Sequence, residues 1–177
     1  AARCVGEALR EMHTRDGEAL KAQSVEFNAS FIVGGQIKGE APRLFQVYAA
    51  GNFIEASPDT TYFQIGESKY GKPIIDRVIT RFTPLADAAK CVLVSFDSTM
   101  RSNLSVGMPI DLVCYERDTL KIQMRRRFDD GDAYFTSYRD PNLRETNQIY
   151  ENAPEFVANF TADERDITRN IIGTISS

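Results

Sequence analysis

Three cysteines and a single histidine are the residues of this 177-residue chain best suited to metal binding or nucleophilic catalysis. Cys4, Cys91 and Cys114 lie far apart and form no C-x-x-C pair, the spacing typical of zinc and iron–sulfur sites. His13 stands alone among charged residues of a helical stretch, and we expect it on a solvated surface. A histidine-dependent triad and a multi-histidine metal site therefore lack support, and we expect neither a metal ion nor a cofactor.

Other residues that can do chemistry are present without the setting that the chemistry needs. Ser95 lacks the flanking glycines of a nucleophile elbow, and Gly34–Gly35 is not part of a phosphate-binding loop motif. The adjacent Asp129 and Asp130 are more typical of a solvated turn than of a glycosidase pair. Spacing alone thus identifies no catalytic group.

The charge pattern argues against nucleic acid and membranes as partners. The formal net charge is −4, whereas nucleic-acid binders normally show a basic balance or stripe. The one basic cluster, at 125–127, is followed at once by acids at 129, 130 and 132, which predicts a self-neutralising strand end. No segment approaches the ~20 apolar residues of a membrane span. Three free thiols, two of them predicted to be buried (Cys91 and Cys114), favour a reducing cytoplasm.

Hydrophobic periodicity predicts helices and antiparallel strands in separate groups, which indicates an α+β fold. Gly17 is expected to end or interrupt the first helix. Thr83 is a candidate N-cap with Pro84 as the first helical residue. The predicted elements are a helix over 3–22, strands over 27–37, 43–48 and 53–56, a helix within 66–79 that is regular from Pro73, a helix from Pro84 to about Phe96, and a hairpin of 110–114 with 120–124.

The composition shifts near Phe128, and the remainder reads as a separate tail. We expect a strand from Tyr134 to Tyr138 and a polar helical region over 141–160. Thr161 with Glu164 has the spacing of a capping box. Beyond it, an apolar helix face is expected at positions 167, 171 and 172.

Four long blocks stand before the tail: SFIVGGQI at 30–37, GNFIEA at 51–56, FQIGESKYGKP at 63–73 and DSTMRSNLSVGMPIDL at 97–112. In this order they resemble the bacterial proteasome-type protease family called Anbu, which is similar to proteasome β-type subunits. The likeness covers about residues 1–134.

The resemblance implies an αββα sandwich of the N-terminal nucleophile hydrolase type, with a threonine nucleophile on its opening strands. It also implies like subunits in a ring-like homo-oligomer and peptides or unfolded proteins as substrates. The first residue here is Ala1, whose side chain is no nucleophile. We therefore expect an incomplete sandwich, with the opening strands and every catalytic residue outside this sequence.

Some positions that support the nucleophile in such a family are expected within the chain. In proteasome subunits an acid and a serine lie in the loop after the last long helix, where this sequence has Asn103 and Ser105, with Ser102 as another nearby hydroxyl. A second supporting position follows a glycine at the head of a helix, where Glu67 follows Gly66, with Ser68 as the alternative. Each also has a purely structural interpretation as a helix end or a turn.

The tail, about residues 135–177, contains the segments SYRDPNL at 137–143, ERDIT at 164–168 and IIGTIS at 171–176. These segments resemble the C-terminal half of presequence protease, an insulinase-type zinc metallopeptidase. That family binds zinc through an inverted H-x-x-E-H motif, which this chain with its one histidine does not contain.

Three functional hypotheses follow. The first is a proteasome-like threonine peptidase subunit acting in intracellular proteolysis, with the nucleophile-bearing segment outside this sequence. The second is a non-catalytic, self-assembling fragment or relic, favoured by Asn103 where an acid is expected. The third is a fragment of an insulinase-type zinc metallopeptidase, favoured by the tail alone.

Overall fold

The computed structural model describes residues 1–137 and 171–176, which form two compact units, Ala1–Gly66 and Glu67–Ser177. Helices and antiparallel strands occur in separate groups along the chain, which confirms the α+β class. The elements in order are α1 (Ala2–Ala22), β1 (Phe31–Gly35), β2 (Arg43–Val47), β3 (Phe53–Glu55), α2 (Lys72–Val78), α3 (Leu85–Ser102), β4 (Ile110–Tyr115), β5 (Ile122–Phe128), α4 (Ala133–Ser137) and β6 (Ile171–Ser176). The sequence-based boundary near residue 134 follows a resemblance rather than a compact unit, and it stays a prediction.

The first unit is a long helix packed on a three-stranded meander. β1, β2 and β3 pair antiparallel in that order, with Val33 opposite Phe45 and Phe45 opposite Glu55. Ala2 and Leu9 of α1 are buried with Val47 of β2, since residues seven apart, about two turns, lie on one helix face. The predicted meander is confirmed. Gly17 does not interrupt the helix, which continues to Ala22.

A close approach of backbones fixes α1 on the meander. Gly51 has a φ of +77°, which favours glycine in the tight turn between β2 and β3. A side-chain carbon at Gly6 of α1 would clash with the carbonyl oxygen of Gly51. Arg10 Nη1 donates to that same carbonyl oxygen at 2.8 Å. Glycine at both positions thus permits the contact, and Arg10 pairs with the carbonyl group.

The second unit is built around α3 and the sheet β5-β4-β6. Leu85, Ala89 and Leu93 of α3 are buried in one cluster with Ile110 and Leu112 of β4 and with further apolar residues, namely Cys114, Phe128 and Phe135. β4 pairs antiparallel with β5 on one side and with β6 on the other. α2 packs on α3. The predicted 110–114/120–124 hairpin is confirmed, with β5 beginning at Ile122.

The start of α3 differs by one residue from the prediction. Pro84 is the N-cap rather than the first helical residue, and Leu85 begins the helix. The Thr83 hydroxyl does not cap it, because it accepts from the Thr80 N–H at 2.8 Å and donates to the Val78 carbonyl at 3.2 Å. Thr83 therefore closes the turn after α2, and its cap assignment was wrong.

Two predictions for the tail were also wrong. Residues 134–138 were expected as a strand, yet α4 spans Ala133–Ser137. Asp132 Oδ1 accepts from the Phe135 N–H at 2.9 Å, the bond of an N-cap, which starts a helix despite the aromatic residues. Ile171 and Ile172 were expected on a helix face but lie in β6, where β-branched residues gain a ladder with β4. The expectations for 141–160, for Thr161 with Glu164 and for position 167 lie outside the described residues.

Candidate functional site

Glu67 lies in the loop that leads into α2, directly after a glycine turn. Gly66 has a φ of +85°, a conformation that residues with a side chain rarely adopt. Glu67 Oε1 then accepts from the Lys69 N–H at 2.6 Å, which folds the loop back on itself. The carboxylate is thus held by the backbone of its own segment before any long-range contact is made.

Asn103 is the residue that ends α3. Its backbone is extended, with a φ of −139°, and its N–H still donates to the Thr99 carbonyl at 2.8 Å. Its side-chain Nδ2 donates to Glu67 Oε2 at 2.8 Å, across 36 positions of sequence. Its Oδ1 accepts both the Ser105 N–H at 2.9 Å and the Ser105 hydroxyl at 2.7 Å.

The structure thus brings together three of the four predicted support positions, Glu67, Asn103 and Ser105. Ser102 is the last residue of α3 and is exposed. Within the described part of the chain, no hydrogen bond joins it to the other three. Whether the cluster supports catalysis stays a prediction.

Hydrogen bonds keep the Glu67 carboxylate ionised. The backbone N–H of Lys69 lowers the pKa of Glu67 most, and the Asn103 amide lowers it further. Both donors bind the charged form more strongly than the neutral form. At neutral pH the cluster therefore carries one negative charge.

The cluster can accept hydrogen bonds, but it does not activate a nucleophile. The Ser105 hydroxyl donates to an amide oxygen, which is a poor base, so nothing in the cluster removes its proton. Glu67 and Asn103 are each linked to a neighbour instead of to a reacting group. The arrangement suits the positioning of a positively charged or hydrogen-bond-donating partner.

Sequence reasoning missed the residues that bring α2 close to α3. Ser95 and Thr99 are buried on α3, and the Thr99 hydroxyl donates to the Ser95 carbonyl at 2.9 Å. A side-chain carbon at Gly71 would clash with both hydroxyl oxygens. Glycine at the head of α2 therefore lets the loop that carries Glu67 approach α3. Two small polar residues four apart on an otherwise apolar face were the available signal.

The thiols and the histidine stand apart from this cluster. Cys91 and Cys114 are buried as predicted, and burial raises the pKa of both thiols, that of Cys114 to about 12. Cys4 is exposed, as is His13, whose ring contacts the edge of Phe27. Among residues 1–137 and 171–176, no three His, Cys, Asp or Glu side chains are grouped as metal ligands would be.

Two of the three arginines of the basic cluster in β5 pair with nearby acids, as expected for a self-neutralising strand end. Arg127 pairs with Asp111 at 2.9 Å and with Asp129 at 3.3 Å. Arg126 pairs with Asp132 at 3.3 Å and also lies over the rings of Phe128 and Tyr134, which the sequence did not indicate. These arginines are thus engaged within the chain.

No helix in the described segments has the length and apolar character needed to cross a membrane.

Comparison with solved structures finds strong similarity to Anbu. Anbu from Hyphomicrobium sp. strain MC1 is 53% identical, with a TM-score of 0.71 over 88% of this chain and 63% of that chain. The structure described as the helical assembly of the Anbu complex from Pseudomonas aeruginosa is 47% identical, with a TM-score of 0.76 over 91% of this chain and 66% of that chain. The chain therefore spans slightly less than two thirds of these relatives' length.

The end of the chain matches a different family. The model of the PreP C-terminal domain matches residues 125–177. Protein HypA of Clostridium perfringens is 54% identical over 46 residues, 26% of this chain and 5% of that protein. Presequence protease 1 of Arabidopsis thaliana is 42% identical over 50 residues, 27% of this chain and 5% of that protein.

The match begins at Arg125 in β5, earlier than the predicted boundary, so it includes α4 and β6. Over most of its length the chain resembles Anbu, the bacterial proteasome-like subunit, and at its end it resembles the PreP C-terminal domain.

Proposed function

We propose that this chain is part of a proteasome-like threonine peptidase subunit that acts in intracellular proteolysis, with the nucleophile supplied by a segment outside residues 1–177. The observation that carries the proposal is the 53% identity to Anbu over 88% of the chain. The meeting of Glu67, Asn103 and Ser105, which the resemblance had singled out separately, supports it.

The fold we propose for the complete subunit is the αββα sandwich of N-terminal nucleophile hydrolases. Each described unit pairs a long helix with a three-stranded antiparallel sheet. A helix layer on a sheet is half of such a sandwich. The opening strands would complete the β layers and carry the threonine.

In the proposed mechanism the α-amino group of the terminal threonine acts as the base for its own hydroxyl, since a terminal amine has a pKa near neutrality. The role of Glu67, Asn103 and Ser105 is to hold that amine in place. An anionic cluster suits this role because it stabilises the ammonium that forms once the amine has taken the hydroxyl proton, and it supplies no competing nucleophile.

The partners we propose are copies of the same chain in a ring-like or helical oligomer, and peptides or unfolded proteins as substrates. The Pseudomonas aeruginosa relative is described as a helical assembly, which supports self-association. The place of action we propose is the cytoplasm, where the three thiols would stay reduced.

The test is peptide hydrolysis by a longer product that carries residues 1–177 behind an amino-terminal threonine. Replacing that threonine with alanine is expected to abolish hydrolysis, because the hydroxyl is the attacking group. Assembly measured by light scattering should be unchanged and serves as the control. Equal hydrolysis by the two products would refute the proposal.

Two other functions rest on single observations. Asn103 where an acid is expected favours a non-catalytic assembly protein, and a monomer at every concentration in size-exclusion chromatography would count against it. The PreP match over 125–177 favours a metallopeptidase fragment. The metallopeptidase hypothesis requires stoichiometric zinc in the purified chain.

A further inference from the structure

Two large apolar side chains are exposed where the chain turns from α2 into α3, at the end of α2 opposite to Glu67. Phe82 is 64% exposed, and Val78, the last residue of α2, is 49% exposed. Burying side chains of this kind contributes about 1.5–3 kcal/mol each. Single exposed apolar residues are common on protein surfaces, so exposure alone does not mark a site. The surroundings of this pair give it a meaning.

The turn that carries Phe82 is held by hydrogen bonds from two threonines. The Thr83 hydroxyl donates to the Val78 carbonyl at 3.2 Å and accepts from the Thr80 N–H at 2.8 Å. The Phe82 N–H donates to the Thr80 hydroxyl at 3.2 Å. These bonds keep Phe82 beside the end of α2. An aromatic side chain on a fixed backbone loses little conformational entropy when a partner binds it, which favours binding.

Arg81 lies over the Phe82 ring and has no acidic partner. Its guanidinium carbon is 4.5 Å from the ring centroid. Among residues 1–137 and 171–176, no hydrogen bond or ion pair engages this guanidinium group or that of Arg77, in the last turn of α2. Arg126 and Arg127 of the same unit, in contrast, each pair with a carboxylate. The turn therefore presents free cationic donors beside an exposed aromatic ring, on a chain whose formal net charge is −4.

The chemistry of this surface matches an acidic segment that also carries an apolar residue. A guanidinium group binds a carboxylate through parallel N–H donors, and Phe82 with Val78 offers apolar contact. Arginine and aromatic residues are the types that dominate binding energy at protein interfaces. A nucleic acid or an anionic membrane is bound by a longer basic stripe than two arginines provide. A peptide segment is thus the occupant that this surface fits.

We propose that the turn surface, defined as Arg77, Val78, Arg81 and Phe82, docks an acidic protein segment that carries an aromatic or aliphatic residue. The carboxylates of that segment pair with the two guanidinium groups, and its apolar side chain packs on Phe82 and Val78. The surface lies at the other end of α2 from Glu67. Docking therefore does not depend on the threonine nucleophile, and it is tested on the 177-residue chain.

Fluorescence anisotropy of a labelled peptide tests the docking. The probe is a fluorescein-labelled peptide in which glutamates flank a central phenylalanine. We expect a Kd on the order of 100 μM at low salt, and weaker binding at high salt because exposed charges are screened. Phe82→Ala and Arg81→Glu should each weaken binding about tenfold. Lys121→Glu is the matched control, since it changes the net charge equally at an exposed position of the same unit. It should leave the Kd within about twofold.

Changes in the peptide test the same contacts without altering the protein. Replacing the phenylalanine of the probe with alanine should weaken binding about tenfold, and replacing its glutamates with lysines should abolish it. Because Arg81 and Phe82 are exposed, their variants should melt within about 2 °C of wild type. Equal binding of the acidic and basic peptides would overturn the inference, as would an unchanged Kd in both Phe82→Ala and Arg81→Glu.

Size-exclusion chromatography decides between a partner segment and a second copy of the chain. The proposal predicts that Phe82→Ala leaves the elution volume unchanged at every concentration. Loss of self-association in Phe82→Ala, together with no binding of the acidic probe to wild type, would identify a second copy as the occupant and would overturn the proposal.

Discussion

The two units of the chain differ in the size of the apolar core that each one buries. In the unit Ala1–Gly66 the buried cluster among described residues is small, and the meander keeps large apolar side chains exposed, namely Phe31, Ile32, Phe53 and Ile54. In the unit Glu67–Ser177 the residues of β4 that face α3 are fully buried. The second unit also carries the polar cluster of Glu67, Asn103 and Ser105.

This difference teaches that the candidate site is placed on the better-packed scaffold. A positioning cluster must hold its groups within a fraction of an ångström, and a rigid core favours that precision. Ile32 and Ile54 of the first unit both pair with Gln46 and so share one sheet face, and exposed apolar residues on one face are typical of a surface that another layer covers. We expect substitutions in the first unit to cost less stability than matched substitutions in the second.

The most severe loss of stability is expected from truncation of the α3 core. Leu93 is fully buried, so Leu93→Ala should destabilise the chain by about 3–4 kcal/mol through lost burial and a cavity. Leu9→Ala in α1, at a smaller cluster, should cost about 2 kcal/mol. Urea unfolding measures both. Leu104→Ala, at a fully exposed leucine, should stay within about 0.5 kcal/mol. An equal loss of unfolding free energy in Leu9→Ala and Leu93→Ala would contradict the difference between the two units.

A smaller loss is expected where α1 touches the meander. Gly6→Ala would press a methyl group against the Gly51 carbonyl and should cost about 1–3 kcal/mol. Gly17→Ala is the matched control on the same helix, because nothing lies within 4 Å of the added carbon. It should stabilise the helix by up to about 1 kcal/mol. The melting temperature should fall in Gly6→Ala and rise in Gly17→Ala. A change of the same sign in both variants would contradict the contact between Gly6 and the Gly51 carbonyl.

Thiol reactivity compares the two units without altering either. Cys4 in the first unit is exposed and should react with a maleimide at neutral pH, whereas Cys91 and Cys114 should not. Burial blocks access and raises the pKa of both thiols in the second unit. Mass spectrometry of the native chain should find one label, and unfolding in urea should give three. Rapid labelling of Cys114 in the native chain would show that the buried cluster of the second unit is accessible to the reagent.

The smallest effect is expected from the pH dependence of Glu67. Its folded pKa is lowered, so the stabilisation is fully present above the ordinary glutamate pKa and is lost as the pH falls through the folded value. Wild type should therefore melt higher than Glu67→Gln at neutral pH, and the two should converge in acid. Glu11→Gln, at an exposed glutamate of α1, is the control for removing a carboxylate from the first unit. A difference in melting temperature between wild type and Glu67→Gln that grows as the pH falls would contradict the prediction.

The sequence was most informative where structure follows local periodicity. The three-and-four spacing of α1 and the alternation in β4 are properties of short windows, and both elements were predicted. The errors at Thr83 and at 134–138 arose from side-chain bonds that compete with a propensity. The strand at 171–176 depends on the free side of β4, which no local window contains.

The candidate site was predictable as a set of positions and not as a geometry. Glu67 and Asn103 were chosen from the resemblance, and nothing in their own segments indicates that they meet. The contact depends on Gly71, which lets α2 approach Ser95 and Thr99. Such closeness is a property of packing between helices, and one sequence without a structure does not show it.

The most direct test of the account is the rate of peptide hydrolysis per assembled subunit, measured for two versions of the longer product. We predict normal hydrolysis with the terminal threonine and none with the threonine replaced by alanine. Hydrolysis that persists without the threonine would contradict the central claim that this chain belongs to a threonine peptidase subunit.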